Sequence, residues 1–171
     1  MKRLLVLLVV LATMLTLVIG CSSSANEQPE EKTPPVSVED LGVSVEDLED
    51  GIYEAQEEDF DDNSGWKNIV TIEVKDGKIV DAKWNGIHKD GGDDKVTKSI
   101  NGEYGMVEHG NANAEWHEQA ALVEAYLLEV QDPTDIKYSN EEGNTDAITG
   151  ATIHVKEFFD LAIQALKSQP K

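Results

Sequence analysis

Apolar and polar side chains alternate in two neighbouring segments near the middle of the chain. The segments run from Ile69 to Val74 and from Ile79 to Trp84, and Asp76-Gly77 lies between them. A period of two predicts strands with one buried face, formed here by Val70, Ile72 and Val74 and by Val80, Ala82 and Trp84. The Asp-Gly step predicts a type I′ hairpin turn. With a further candidate strand at Gly51 to Ala55, the pattern predicts an antiparallel meander.

Two later segments carry apolar residues at helical spacing. The first spans about Ala114 to Gln131 after Asn113, the expected N-cap, and its apolar face comprises Trp116, Ala120, Val123, Leu127 and Val130. The second spans about Ile153 to Lys167, and its apolar face comprises Val155, Phe159, Ala162 and Leu166. Both faces predict amphipathic helices that pack against a core.

The segment between the hairpin and the first helix, Asn85 to Gly110, is polar and rich in glycine and predicts mostly loop. Ile136 to Tyr138 predicts a short strand. Strands followed by helices indicate an α+β fold. We therefore expect an antiparallel strand meander, or hairpin, packed against two helices.

The first 20 residues have the pattern of a bacterial lipoprotein signal peptide. Lys2 and Arg3 precede an apolar run from Leu4 to Ile19, and Gly20 stands directly before Cys21. The pattern predicts that Cys21 becomes the lipidated N-terminus and anchors the protein to the cell membrane from outside. A transmembrane anchor is the alternative, although the run is short for a membrane span.

Residues 21–50 are rich in Ser, Glu and Pro and predict an acidic tether, while residues 51–168 predict one domain. A repeated Val-Ser-Val-Glu-Asp-Leu within 36–48 leaves a short amphipathic element as the alternative for part of the tether. Cys21 is the only cysteine, so lipidation leaves no thiol for a disulfide, a zinc site, an iron–sulfur cluster or haem attachment.

The charge of the chain excludes one class of partner. It has 14 basic and 34 acidic residues, and loss of Lys2 and Arg3 with the signal leaves a net charge of −22. Such a surface repels nucleic acid. Arg3 is the only arginine, so the mature chain lacks the side chain that usually grips a phosphate in two places. A phosphorylated ligand would need lysine, backbone N–H groups or a covalent bond.

A run of small residues stands just before the second predicted helix. In Asp146-Ala147-Ile148-Thr149-Gly150-Ala151-Thr152, Gly150 and Ala151 leave room for a bulky group, and two threonines offer hydroxyls. Unpaired N–H groups at a helix N-terminus favour phosphate. A simple helix cap is the alternative that four such residues leave open.

This run resembles the attachment motif of the FMN-binding domain family, Asp-x-x-Ser/Thr-Gly-Ala-Ser/Thr. Residues 65–83, with Asp76-Gly77 between two strands, resemble the upstream signature of the same family. The resemblance implies that Thr152 carries FMN through a phosphoester bond and that Asp146 is part of what a flavin transferase recognises. Thr149 stands where the family often has serine. The chain is most similar to small FMN-binding lipoproteins of Gram-positive extracellular electron transfer.

An isoalloxazine ring needs a flat apolar or aromatic wall. The candidates are Met106, Trp116, Trp66 and Tyr104. Trp116 also lies on the core face of its predicted helix, and Lys89 could place a cation near the flavin or lie in solvent. We expect no metal site, because Asp59, Asp61 and Asn63 lack the rest of a calcium loop.

The expected function is a membrane-anchored, extracytoplasmic electron carrier with covalent FMN rather than an enzyme with its own substrate. The resemblance implies a flavin transferase, a quinone-linked membrane electron donor and an extracellular acceptor as partners. Two alternatives stay open. One is a lipoprotein of the same fold that binds a ligand or partner without covalent flavin, and the other is a flavin reductase.

Overall fold

The computed structural model describes residues 44–171. The predicted signal peptide, Cys21 and most of the predicted tether lie outside the described residues. The first packed residue is Val45, which is buried in a 3-10 turn at Val45–Asp47, six residues before the predicted start of the domain. Within residues 44–171, no helix combines the length and apolar character needed to cross a membrane.

Three antiparallel strands form one sheet in the order β1-β2-β3. Strand β1 spans Gly51–Gln56, β2 spans Trp66–Lys75 and β3 spans Lys78–His88. Asp76 and Gly77 both have positive φ, at 50° and 69°, so the two-residue turn that joins β2 to β3 is of the predicted type I′ class. The predicted meander is confirmed, and both outer strands pair with β2.

One strand prediction is wrong at Val80. Glu73 pairs with Asp81, but the next residue, Val74, pairs with Ile79, so β3 holds one extra residue at a β-bulge. The bulge reverses the alternation next to the turn. Ile79 therefore points into the core with Ala82 and Trp84, while Val80 is 46% exposed.

Residues 44–171 contain four α-helices rather than the two predicted. The predicted loop after the hairpin contains the end of β3 and two short helices, α1 at Lys95–Ile100 and α2 at Met106–Gly110. Such short helices hold too few residues to show a periodic pattern. The longer helices are α3 at Trp116–Val130 and α4 at Lys156–Leu166. Residues 136–138 form no strand.

Both predicted helices exist, with corrected starts. Glu115 rather than Asn113 is the N-cap of α3, and its backbone N–H donates to the carboxylate of Glu118 at 2.8 Å. Helix α4 begins at Lys156, three residues later than predicted. Its predicted apolar face is buried, and so is that of α3 except for Val130, which packs half-buried at the rim of the core.

Helix α4 packs on β1 and β2, whereas α3 packs on β3. One α3 side chain and that of the C-cap residue Gln131 also bond the outer edge of β3. The N–H of Trp84 donates to Glu124, and the amide of Gln131 both accepts from and donates to Ile79. Covering an edge strand in this way removes a site of strand pairing between chains. The same arrangement fixes α3 beside the sheet, and α3 carries one wall of the site described next.

Candidate functional site

Thr152 lies in an irregular segment between a tight turn and α4. Gly150 has a φ of +91°, and the N–H of Ala151 donates to the carbonyl of Ile148 at 3.2 Å. The Ile148 and Ala151 side chains are buried, which fixes the turn against the core. Thr152 follows at once and is exposed. The local sequence therefore presents a hydroxyl at the surface of a turn that is anchored from below.

One buried side chain holds this segment. The Gln119 side-chain carbonyl accepts the N–H of Thr152 at 2.7 Å, the hydroxyl of Thr152 at 3.0 Å and the N–H of Ile153 at 3.2 Å. The amide nitrogen of Gln119 donates to the carbonyl of Ala114 at 3.0 Å, so both the oxygen and the nitrogen of the group are bonded. Gln119 is only 1% exposed. It fixes both the backbone and the hydroxyl of Thr152 to α3.

This geometry corrects the expected phosphate cradle. The N–H groups of Thr152 and Ile153 are satisfied by Gln119, and α4 begins four residues after Thr152. The free N–H groups of a helix terminus are limited to its first turn. They therefore do not stand at Thr152, and a phosphate on this residue would lack that stabilisation.

Thr152 borders a cavity of about 490 Å³ between the sheet, α1, α3 and the start of α4. Residues predicted from distant parts of the sequence meet in it. Its lining comprises Glu57, Asp61, Ser64, Trp66, Asn68, Trp84, Lys95, Tyr104, Met106, Trp116, Thr152, Ile153, His154 and Glu157. The proposed attachment residue and all four candidate wall residues thus border one space.

Aromatic rings form much of the wall. Trp66 and Tyr104 lie 6.0 Å apart between centroids, and Tyr104 and Trp116 lie 6.5 Å apart. Trp116 is 3% exposed and packs edge-on against Trp84 at 5.2 Å. Trp116 therefore belongs to the core, as its helical position predicted, and its ring also reaches the cavity.

Met106 is positioned by a carboxylate. The side chain of Glu115 accepts the N–H groups of Met106 and Val107, each at 3.1 Å. Because Glu115 is also the N-cap of α3, it ties the start of α2 to the start of α3. The short α2 helix, which has little stability of its own, is thereby held beside the cavity.

The cavity contains Lys95, not the predicted Lys89. Lys89 is exposed and does not line the cavity, whereas Lys95 is 8% exposed and does. The Lys95 ammonium lies 4.5 Å from the ring centroid of Trp116, 5.6 Å from Tyr104 and 5.9 Å from Trp66. These are cation–π distances.

Burial lowers the pKa of Lys95 to about 8, and the carboxylates of Glu157, Glu57 and Asp61 partly offset that effect. The same three carboxylates line the cavity. Asp61 is also held in a local turn, accepting the N–H groups of Asn63 and Ser64. The Glu157 Oε2 atom is buried and has no hydrogen-bond partner within residues 44–171.

The rest of the predicted motif lies outside the cavity. Asp146, Thr149 and Gly150 are exposed and do not line it, and the side chain of Ala151 is buried beneath the turn. Sequence reasoning missed Gln119, Lys95 and Glu157. Gln119 had a signal, since it is a polar residue three positions after Trp116 on the buried face of α3.

Comparison with solved structures gives two clostridial relatives. A Clostridium thermocellum protein, solved by solution NMR as a structural genomics target, is 68% identical with a TM-score of 0.55, and the match covers 70% of this chain and 91% of that protein. This chain belongs to the same family. A Clostridium perfringens protein, whose crystal structure came from the same consortium, is 30% identical with a TM-score of 0.54, covering 70% and 87% of the two chains.

The chain also resembles the 15 kDa lipoprotein of Treponema pallidum (strain Nichols). The two are 27% identical over 125 residues, which are 73% of this chain and 79% of that protein. No family model matches the chain. Kinship to a lipoprotein suggests a lipid-anchored location and fits the predicted lipid anchor at Cys21.

Proposed function

We propose that this protein is an extracytoplasmic, lipid-anchored electron carrier that holds FMN through a phosphoester bond to the Thr152 hydroxyl. The observation that carries the proposal is the convergence of Thr152 with Met106, Trp66, Tyr104 and Trp116 around one cavity. These residues are separated by up to 86 positions in the sequence, from 66 to 152. An attachment point beside an aromatic wall is what a tethered aromatic cofactor needs.

The residues present fit the flavin ring better than they fit its phosphate. A volume of about 490 Å³ lies within the usual range for small-molecule sites, roughly 300–1,000 Å³. The wall supplies aromatic faces and a thioether. Three carboxylates line the cavity, those of Glu57, Asp61 and Glu157, and they would repel the phosphate. Lys95 is the single lysine among the lining residues.

This imbalance supports a covalent link. A phosphate that meets three carboxylates, beside Thr152 and Ile153 N–H groups that are already bonded to Gln119, is held weakly by charge. A phosphoester bond at Thr152 would keep the group in place despite that repulsion. The chain would then hold an FMN that charge alone does not retain outside the cell.

The attachment needs an activated donor, and a flavin adenine dinucleotide supplies one. The Thr152 oxygen would form a bond to the FMN phosphorus as the pyrophosphate bond breaks, and AMP would leave with the hydroxyl proton. Thr152 is an exposed residue, and a transferase would break the bond of its hydroxyl to Gln119. Asp146 and Thr149 are exposed beside it, where the same enzyme could contact them.

Bound FMN would supply the one- and two-electron chemistry, while the protein orients the ring and sets its environment. A quinone-linked membrane donor and an extracellular acceptor are the partners of such a carrier. The similarity to the Treponema lipoprotein supports the membrane anchor. A strongly acidic surface argues against nucleic acid as a partner.

A second candidate is a lipoprotein that binds a ligand without a covalent bond. The specific observation in its favour is the unpartnered Glu157 Oε2 atom in the cavity wall, since buried polar atoms normally have partners. A reversible ligand could supply that partner.

Intact mass of the mature protein separates the two candidates. The protein would be isolated from its native host and from cells that also express an active flavin transferase. The carrier predicts a mass increment of FMN less one water, lost in Thr152→Ala and kept in Thr152→Ser.

Ser139→Ala is the matched control, because Ser139 is an exposed hydroxyl-bearing residue outside the 146–152 run that does not line the cavity. It should keep the increment. An unmodified wild-type chain, from cells in which the transferase modifies another substrate, would refute the covalent carrier.

A further inference from the structure

Two side chains in the cavity carry polar groups that have no hydrogen-bond or ion-pair partner in the described protein. The Lys95 ammonium makes no ion pair and no hydrogen bond with any residue in 44–171, and Glu157 Oε2 is buried with no partner there. One group can only donate hydrogen bonds and the other can only accept them when ionised. Both line the same cavity.

We propose that Lys95 and Glu157 together hydrogen-bond one edge of a planar heterocyclic ligand. Lys95 donates to a ring carbonyl, and Glu157 accepts from the neighbouring ring N–H. The inference rests on the proposed function only for its choice of ligand. The pyrimidine edge of a flavin has such a carbonyl next to an N–H, so this pair would orient the isoalloxazine ring.

The position of Lys95 supports the first contact, in which its ammonium donates to a ring carbonyl. Its ammonium lies against three rings, at 4.5, 5.6 and 5.9 Å from their centroids. Cation–π contact offsets part of the cost of placing the charge in this wall, and it leaves the N–H donors of the ammonium available to an acceptor in the cavity. A carbonyl that enters the cavity beside the rings would accept from one of them.

The position of Glu157 supports the second contact, in which its carboxylate accepts from the ring N–H. It is the second residue of α4, and Phe158 and Phe159, which follow it, are completely buried, so the helix start is held by the core. A buried acceptor without a donor destabilises the folded protein, and a charged acceptor does so more strongly. A ligand N–H at Oε2 would remove that destabilisation.

The separation of the two groups matters as much as their chemistry. Glu157 is the carboxylate that most favours the charged form of Lys95, yet the two form no ion pair within the described part of the chain. Because both residues line one cavity and are not paired with each other, each remains available to a ligand in that cavity. A ligand with only acceptors, such as a free phosphate, would satisfy Lys95 and repel Glu157.

The test uses protein that cannot be esterified. Thr152→Ala protein would be titrated with lumiflavin, which has no ribityl phosphate, and with 3-methyllumiflavin, in which a methyl group replaces the ring N–H proton. Quenching of flavin fluorescence reports binding. We expect 3-methyllumiflavin to bind about 10- to 100-fold more weakly, the loss that one hydrogen bond to a charged group implies.

Side-chain variants locate the contact. In the Thr152→Ala background, Lys95→Met and Glu157→Gln should each weaken lumiflavin binding about 10-fold or more. The ratio of lumiflavin affinity to 3-methyllumiflavin affinity should stay high in Lys95→Met and should fall in Glu157→Gln, because only Glu157 is assigned to the ring N–H. Exposed Lys167→Met and Glu141→Gln are the matched charge controls and should leave binding unchanged.

Three outcomes would overturn the inference. They are equal binding of the two probes, no binding of either probe, and a ratio of lumiflavin affinity to 3-methyllumiflavin affinity that Glu157→Gln does not reduce. The probe comparison needs only Thr152→Ala protein, so a folding defect in the other variants does not block the test. A flavin mass increment on wild-type protein can be present in all three cases, so the test fails separately from the proposed function.

Discussion

A single oxygen of Gln119 accepts both the backbone N–H and the side-chain hydroxyl of Thr152, at 2.7 and 3.0 Å. Because Gln119 is buried, its loss in Gln119→Ala would remove these bonds and leave the carbonyl of Ala114 without its donor. We expect the free energy of unfolding to fall by about 1–3 kcal/mol, measured by urea denaturation. The yield of flavinylated protein should fall as well, because the hydroxyl is no longer oriented.

Gln164→Ala is the control for that variant. Gln164 is an exposed residue of α4, so its truncation should change the free energy of unfolding by less than about 0.5 kcal/mol. Equal stability of the two variants would show that the Gln119 bonds do not hold the turn.

Gly150→Ala should destabilise the turn that precedes Thr152. Gly150 has a φ of +91°, which an L-residue with a side chain rarely adopts, and the new Cβ would lie 3.0 Å from the Leu122 side chain. We expect a loss of about 1–2 kcal/mol in the free energy of unfolding.

The matched comparison is Gly110→Ala. Gly110 lies at the end of α2, and a Cβ there would meet no atom within 4 Å. That substitution should be neutral or should stabilise the protein by about 0.5–1 kcal/mol. If the two alanine variants have the same midpoint in urea, the left-handed conformation of Gly150 does not matter to the fold.

Lys95 should make stability depend on alkaline pH. Burial lowers its pKa from 10.5 to about 8 in the folded protein, so between those values the unfolded chain binds more protons. Stability therefore rises with pH across that window. The cost of the buried charge, on the order of 3 kcal/mol at about 1.4 kcal/mol per pH unit, is full below pH 8 and is lost by pH 10.5.

The measurement is the difference in free energy of unfolding between wild type and Lys95→Met, followed from pH 7 to pH 10.5. The variant should be the more stable protein at neutral pH, and the difference should close as pH rises. Lys89→Met removes an exposed charge of the same sign and serves as the comparison. A constant difference across the window would contradict the burial of Lys95.

Without the covalent bond, the phosphate of FMN should hinder binding. The cavity faces it with Glu57, Asp61 and Glu157, and the N–H groups of Thr152 and Ile153 are already bonded to Gln119. We expect Thr152→Ala protein to bind riboflavin several-fold more tightly than FMN, consistent with about 1 kcal/mol of repulsion near water. Calorimetry at low and high salt would show the gap narrowing as salt screens the charges. Tighter binding of FMN would instead reveal a phosphate site.

Local sequence patterns predicted the central hairpin and the two long helices because neighbouring residues determine them. Asp76-Gly77 dictates its turn through backbone freedom, and the spacing of Val155 and Phe159 identifies the buried face of α4. The bulge at Val80 could not be read in this way, since it arises where β3 must pair with β2. Helices as short as α1 and α2 depend on tertiary bonds, such as those from Glu115 to the start of α2.

The candidate site was predicted in part. The structure brings Thr152 and Met106 to one cavity, as expected from their separate signals. The lysine that lines the cavity is Lys95 and not Lys89. Lys95 reaches the cavity because α1 packs against β3, and no pattern in the sequence predicts that contact. Whether Thr152 carries FMN stays a prediction.

Helix α3 has a consequence for cooperativity. Through Gln119, Glu124 and Gln131 it bonds the Thr152 segment, the middle of β3 and the start of β3. Local opening of α3 therefore releases the Thr152 segment and uncovers the outer edge of β3 in the same event. In this open state the chain exposes the unpaired edge of β3 and loosens the Thr152 segment together, so the order of that segment and resistance to aggregation depend on one helix.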